Sequence, residues 1–97
     1  MTRHDENLLS RNLALEDVLC SRQTIRILKV LKQLGRLNVS EIAQRIGTNY
    51  ESTSTRLESL ENEGVLRHIE LGRAKLYSFK EFPRARVVAG LLEVWEA

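Results

Sequence analysis

Apolar side chains recur at helical spacing through the first two thirds of the chain. Between residues 22 and 34 they lie three and four positions apart, as at Leu28, Leu31 and Leu34, which predicts an amphipathic helix with one buried face. Ser21 is a favourable N-cap for this helix, and Gly35 is a favourable C-terminal stop. The apolar residues between positions 6 and 19 have similar spacing, so we expect another helix near the N-terminus.

Two further helices are predicted next, each by the spacing of a capping box. Asn38 and Glu41 are three positions apart and predict a helix over about Val39–Ile46. Thr48 and Glu51 repeat that spacing and predict a third helix, which runs to about residue 63.

After Gly64 the apolar period changes from helical to extended. Residues 65–71 and 75–80 predict two strands joined by a hairpin tip at residues 72–74, where Gly72 can adopt a positive φ. Pro83 fits the first turn of a last helix with a wide apolar stripe. Together these elements predict one domain over residues 1–97, mainly α with a small β-hairpin and therefore of the α+β class.

The charge of the chain is small but unevenly distributed. Its 97 residues carry a formal net charge of +2, with positive blocks over residues 21–50 and 71–86 that flank a negative block over residues 51–70. Two basic blocks suit an anionic partner, although an ordinary solvated surface would have the same composition.

Few residues are suited to catalysis or metal binding. Cys20 is the single cysteine, and His4 and His68 are the two histidines; their spacing is typical of neither a metal site nor a catalytic set. We therefore expect no cofactor, no metal and no enzymatic activity. Cys20 is either an unreactive thiol or one half of a disulfide between subunits. The polar start and the lack of a long apolar run favour a cytoplasmic protein with no membrane partner.

Two short helices joined at Gly47 are the most informative feature. In a helix-turn-helix, the first helix crosses the DNA backbone and the second lies in the major groove. Glycine tolerates the dihedral angles of such a turn, and Ala43 is small enough to let the two helices approach each other. The pattern therefore favours the binding of double-stranded DNA.

Residues 21–80 resemble the winged helix-turn-helix of ArsR/MarR-type prokaryotic regulators, particularly the small archaeal members. The resemblance lies in RILKVL for the first core helix, NVSEIAQRIG for the helix that crosses the DNA, NYESTSTRLESLENEGVL for the recognition helix and LGRAKLYSF for the wing. It implies a winged helix fold and the role of a dimeric transcriptional repressor. Residues 1–20 and 83–97 lie outside this core and are expected to form helical extensions.

The resemblance also implies which residues contact DNA. Carried over by position, those on the recognition helix are Asn49, Tyr50, Glu51, Ser52, Ser54, Thr55 and Arg56. Arg56 could pair with a guanine or a phosphate, and Asn49 could pair with an adenine or simply cap the helix. Thr53 lies where the family has an inward apolar residue, and its hydroxyl could bond to the backbone.

Basic residues outside the recognition helix extend the expected contact. Arg73 at the hairpin tip and Lys75 beside it resemble wing residues that reach a neighbouring minor groove or the DNA backbone. Arg45 is expected to contact a phosphate. Charged residues are also common at hairpin tips that have no such role.

Both ends of the chain carry more apolar surface than isolated helices would expose. We expect them to pack against the same segments of a second copy, in a twofold dimer, rather than against their own core. The predicted interface residues are Leu9, Leu13, Val88, Leu91, Leu92 and Trp95. Such a dimer would place two recognition helices about 34 Å apart, one turn of DNA, and would prefer an inverted repeat.

Two other functions remain open on the sequence. A low-specificity architectural protein would bind DNA through phosphates, which the small net charge disfavours. A winged helix can also serve as a protein-interaction module, for example within a transcription complex. The recognition helix favours that function through its acidic residues, because negative charge near phosphates weakens DNA binding. Those residues are Glu51, Glu58, Glu61 and Glu63.

Overall fold

Four helices and a three-stranded antiparallel sheet make up residues 21–96, the part of the chain that the structure, a computed structural model, describes. The helices are α1 (Arg22–Leu34), α2 (Val39–Ile46), α3 (Tyr50–Asn62) and α4 (Pro83–Glu96), and the strands are β1 (Leu37–Asn38), β2 (Leu66–Leu71) and β3 (Ala74–Phe79). The predicted α+β class is confirmed. The helix expected between residues 6 and 19 lies outside the described residues, as do His4, Leu9, Leu13 and Cys20.

Side-chain caps begin α1 and α2 where the sequence predicts them. Ser21 Oγ accepts a hydrogen bond from the Thr24 amide over 3.2 Å. The capping box of α2 is complete, because Asn38 Oδ1 accepts from the Glu41 amide (2.8 Å) and Glu41 Oε1 accepts from the Asn38 amide (3.0 Å). These bonds satisfy amide groups that the first turn of a helix leaves without a backbone partner.

The cap of α3 differs from the prediction by one residue. Asn49 is the N-cap, and its Oδ1 accepts from the Ser52 amide over 2.7 Å. Gly47 adopts the left-handed conformation (φ 75°, ψ 38°), and the Thr48 amide still bonds to the Ala43 carbonyl of α2 over 3.0 Å. Thr48 therefore belongs to the end of α2, and the capping box predicted at Thr48 is wrong.

The sheet has the order β1-β3-β2, so β3 lies in its centre. β2 and β3 form a hairpin whose turn is Gly72–Arg73, and Ala74, which was predicted in the turn, is the first residue of β3. β1 pairs with β3, with Leu37 opposite Tyr77. The sequence does not predict β1, because two residues are too few to show a period and their partner strand lies far along the chain.

One apolar core joins all seven elements. Its buried members are Ile27, Leu28, Leu31, Leu37, Val39, Ile42, Ile46, Leu57, Leu60, Val65, Leu66, Tyr77 and Val88. Leu34, predicted to face this core, is 48% exposed, because it lies in the last turn of α1, beyond the packed residues. None of the helices in residues 21–96 is long and apolar enough to cross a membrane.

Candidate nucleic-acid interface

α2 and α3 form a helix-turn-helix around the turn at residues 47–49. α3 packs Thr53, Leu57 and Leu60 inward, so that its opposite side is left to the solvent. The Thr53 hydroxyl donates to the Asn49 carbonyl oxygen over 2.8 Å, which confirms the predicted backbone bond. Because this buried hydroxyl has its partner within α3, it costs the core little.

The outer face of α3 is polar and consists of five exposed side chains at helical spacing: Glu51, Thr55, Glu58, Ser59 and Asn62. Tyr50, at the start of the helix, is 58% exposed. Ser52 and Ser54 are half-buried at the edges of this face. Asn49 is exposed, and of its two predicted roles the structure shows capping. The solvent side of α3 thus presents hydroxyl, amide and carboxylate groups.

Arg56 extends from α3 to the N-terminal end of α1. Its Nε donates to Gln23 Oε1 (3.1 Å), and its Nη1 donates to Ser21 Oγ (2.8 Å) and Thr24 Oγ1 (3.2 Å). Gln23 Nε2 in turn donates to Thr48 Oγ1 over 3.4 Å. These five residues, called the Arg56 cluster below, join α1, the turn and α3. The sequence gives Arg56 as a DNA-contacting residue and does not single out Gln23.

The three predicted basic contacts outside α3 are exposed. Arg45 lies in the last turn of α2, Arg73 in the turn of the hairpin and Lys75 in β3. Their side chains are free of the core, as contact with a phosphate or a groove requires.

Two of the four glutamates of the recognition helix have basic partners on other elements. Both carboxylate oxygens of Glu61 lie within 2.8 Å of His68 Nδ1 on β2. Glu63, the C-cap of α3, accepts hydrogen bonds from Arg84 Nη1 at its carbonyl oxygen (2.8 Å) and at Oε1 (3.3 Å). The other two glutamates, Glu51 and Glu58, lie on the outer face of α3. No basic partner is shown for either of them among residues 21–96.

His68 and Tyr77 connect the hairpin to α3. They are cross-strand neighbours whose ring centres lie 5.3 Å apart. Burial raises the pKa of Tyr77 above its ordinary value of 10.0, and the negative charges of Glu61 and Glu58 raise this pKa further. The phenol is therefore neutral at physiological pH. Within residues 21–96, no group of three or more His, Cys, Asp or Glu side chains could hold a metal ion.

α4 packs one side on the core and exposes apolar side chains on the other. Val88 is 7% exposed and Leu92 packs against the core, so these two predicted interface residues contact their own chain. The apolar face of α4 consists of Val87, Leu91, Val94 and Trp95, which are 45–80% exposed. Two of the predicted interface residues, Leu91 and Trp95, belong to it.

The helix-turn-helix matches a known protein family. Residues 21–67 match a family described as winged helix-turn-helix DNA-binding, which covers α1 to the start of β2. Among proteins with curated descriptions, none has a sequence that matches this chain.

Solved structures match nearly the whole chain. The homodimeric winged helix-turn-helix DNA-binding domain of a possible ArsR-family transcriptional regulator from Mycobacterium bovis is 25% identical (TM-score 0.75, covering 95% of this chain and 84% of that one). The antimony-specific transcriptional repressor AntR is 26% identical (TM-score 0.69, covering 90% and 79%). The transcriptional repressor BigR from Xylella fastidiosa, at 23% identity, is similar in fold (TM-score 0.68, covering 97% and 96%).

Proposed function

We propose that the chain, whose residues 21–67 match a winged helix-turn-helix DNA-binding family, is a homodimeric transcriptional regulator that binds a specific duplex sequence. The proposed role is that of a repressor rather than an activator. The outer face of α3 is the observation that carries this proposal. It is polar and exposed, and it follows α2 across a tight turn, the arrangement that places a recognition helix in the major groove.

Several groups on and beside the outer face of α3 have suitable partners on DNA. Glu51 can accept from the amino group of cytosine, and Thr55 can bond to a base edge or pack on a thymine methyl group. Tyr50 and the half-buried Ser52 and Ser54 can donate to phosphates, which orient the protein without specifying sequence. Arg45, at the end of α2, supplies a further phosphate contact.

The β2–β3 hairpin supplies a second contact beside the first. Arg73 lies in its turn and Lys75 directly after it, and both side chains are exposed. A narrow, A·T-rich minor groove concentrates negative potential and attracts arginine. We therefore assign the hairpin tip to the minor groove that flanks the recognition helix.

The apolar face of α4 supports the dimer. Exposure of its four apolar side chains to water is unfavourable. A second copy of the chain would cover them through a twofold contact of the same surface. The similar domain from Mycobacterium bovis is homodimeric. Leu91 and Trp95 are the proposed interface residues of α4. The proposal places the dimer in the cytoplasm, with no enzymatic activity and an inverted-repeat operator.

A second candidate function is a protein-interaction module. Glu51 and Glu58 leave two carboxylates on the outer face of α3 without a basic partner shown among residues 21–96, and carboxylates near phosphates weaken DNA binding. A basic protein surface would complement them. This function predicts that no duplex binds to α3, whereas an architectural DNA-binding protein would bind duplexes with little regard to sequence.

A selection from random duplexes tests these functions. The full chain is incubated with a random-sequence pool at two salt concentrations, and the bound duplexes are sequenced. Enrichment of an inverted repeat with half-sites about one turn apart is the expected result. Salt-sensitive binding without enrichment would indicate the architectural function. The absence of binding even at low salt would contradict the proposal and favour the protein-interaction module.

A further inference from the structure

Arg56 lies on the helix that would enter the major groove, yet its guanidinium group is bound at the N-terminal end of α1. Three hydrogen bonds, from Nε and Nη1, join it to Gln23, Ser21 and Thr24. The guanidinium is a rigid planar group with five N–H donors. Bonds from two of its nitrogen atoms to three acceptors therefore define both its position and its orientation.

We infer that Arg56 is a positioning residue, which acts with Gln23 to determine how α3 lies against α1, and that it contacts neither bases nor phosphates. The inference rests on the proposed function, because the position of α3 affects binding only if α3 contacts DNA. It replaces the expectation, drawn from the sequence, that Arg56 pairs with a guanine or a phosphate.

Gln23 extends the effect of Arg56 to the turn. Because an arginine can only donate, the Gln23 atom that faces it must be the amide oxygen. The amide nitrogen is then directed to the Thr48 hydroxyl, over 3.4 Å. One side chain thus contacts the recognition helix and the residue that closes α2. All three side chains are half-buried, which shields their bonds partly from water.

Electrostatics also indicate that geometry, rather than charge, selects an arginine here. The N-terminal end of a helix carries a partial positive charge, so the end of α1 repels a guanidinium group. The acceptors that hold Arg56 are all uncharged. Ser21 Oγ serves at the same time as the cap of α1, because it also accepts from the Thr24 amide. The hydrogen bonds to these acceptors must therefore offset both the repulsion by the end of α1 and the hydration that the guanidinium group loses.

The Arg56 cluster can be tested with four single variants, one double variant and one control. Arg56→Gln removes the charge, and Arg56→Lys retains it but lacks the planar set of donors. Gln23→Ala removes the acceptor of Arg56 Nε, whereas Gln23→Glu retains an acceptor. The control, Arg86→Gln, removes one positive charge from an exposed side chain of α4.

Three measurements are made on the full-length variants. Titrations with the selected operator and with an unrelated duplex, at several salt concentrations, give the affinity ratio and the salt dependence. Selection and sequencing give the preference at each base pair. Urea unfolding of Gln23→Ala, Arg56→Gln and the double variant gives the coupling between the two side chains.

If Arg56 positions α3, Arg56→Lys and Arg56→Gln should both weaken operator binding by about tenfold, the equivalent of a lost hydrogen bond to a charged group. Binding to the unrelated duplex and the salt dependence should stay as in the control. Discrimination should fall at all base pairs together. Gln23→Ala should behave similarly, Gln23→Glu should bind like the wild type, and the unfolding effects should not add.

Several results would overturn the inference. Loss of discrimination at one base pair would make Arg56 a base contact, and a salt dependence reduced by about one phosphate would make it a phosphate contact. Rescue by Arg56→Lys would show that only charge matters. Additive unfolding effects, or lower stability with unchanged operator binding, would exclude positioning. If the wild-type chain binds no duplex, the proposed function fails, and the unfolding cycle alone decides whether Gln23 and Arg56 act together.

Discussion

α3 and α4 are of similar length, 13 and 14 residues, and each packs one side on the same core, but their solvent sides differ. The outer face of α3 carries carboxylate, hydroxyl and amide groups, whereas the apolar face of α4 carries valine, leucine and tryptophan side chains. Polar groups suit the edges of base pairs, and an apolar stripe is unfavourable in water until a partner covers it. The solvent-facing side of each helix therefore indicates the role of that helix.

The largest expected effect follows from charging the apolar face of α4. Leu91→Glu combined with Trp95→Glu would place carboxylates in the proposed dimer interface, where they would be buried without partners. We expect monomers in solution and a loss of about 100-fold or more in affinity for a full operator, because two linked contacts become one. Light scattering and titration measure these effects.

Arg86→Glu is the matched control for the α4 variant, since Arg86 is exposed on the same helix but lies outside its apolar face. The control should remain dimeric. If the double variant also stays dimeric and binds the full operator normally, the apolar face of α4 is not the interface.

The polar side of α3 gives the next largest effect. Thr55→Ala should weaken discrimination at one base pair by about 1–2 kcal/mol, because a single base contact is lost. Ser59→Ala, one turn further along the helix and also exposed, should leave all preferences unchanged, because the N-terminal residues of a recognition helix are the ones that contact base edges. Selection and sequencing of bound duplexes would compare the two variants. Equal profiles for both would contradict a base contact by Thr55.

The stability of α3 depends strongly on its N-cap. Only Thr53, Leu57 and Leu60 pack into the core, and the helix is rich in serine and threonine, which have low helix propensity. Asn49→Ala should lower the free energy of unfolding by about 1 kcal/mol, and Asn49→Asp should preserve it. Thr48→Ala should cost less. Urea denaturation measures the free energy of unfolding of each variant. If Thr48→Ala lowers it as much as Asn49→Ala does, Thr48 acts as the cap, as the sequence predicts.

The smallest expected effect is on the pH dependence of stability, through the buried Tyr77 in the core beneath α3. Because the pKa of Tyr77 is raised above 10.0 in the folded protein, the unfolded chain loses this proton at lower pH. The contribution of Tyr77 to stability should therefore be complete below about pH 10 and disappear as the pH rises through the raised pKa.

Tyr77→Phe should remove this part of the alkaline loss of stability, whatever its effect at neutral pH. Tyr50→Phe, which removes a hydroxyl from an exposed side chain, is the matched control. Urea unfolding between pH 8 and 11 measures both variants. Parallel curves for Tyr77→Phe and the wild type would show that the phenol does not titrate differently in the two states.

Much of the fold could be predicted because its signals are local. The helical period of residues 22–34 and the three-residue spacing of Asn38 and Glu41 lie within single elements, and both helices begin at the predicted caps. Glu51 and Thr55, which the family resemblance gives as DNA contacts, are exposed on the outer face of α3. The features that escaped prediction depend on distant pairing, as with β1, or on competition between neighbouring caps, as with Thr48 and Asn49.

Arg56 shows where prediction of the site ends. Its position in the sequence, near the start of a recognition helix, is typical of a DNA contact. Its partners at the start of α1 lie 32 to 35 positions earlier in the chain, and their side chains carry no signal that singles them out. The pairing of Glu61 with His68 is nearer in sequence, but it crosses from a helix to a strand and has no fixed spacing.

The short strand β1 has a consequence for how this domain can vary over evolutionary time. Asn38 lies opposite Leu76 in the sheet and also caps α2, so the middle of β3 and the start of the helix-turn-helix share one residue. The far end of the hairpin has no such tie among residues 21–96. Insertions and deletions at residues 72–73 should therefore leave the fold intact, even where they change the proposed DNA contact of Arg73, whereas a change at Asn38 would disturb two elements at once.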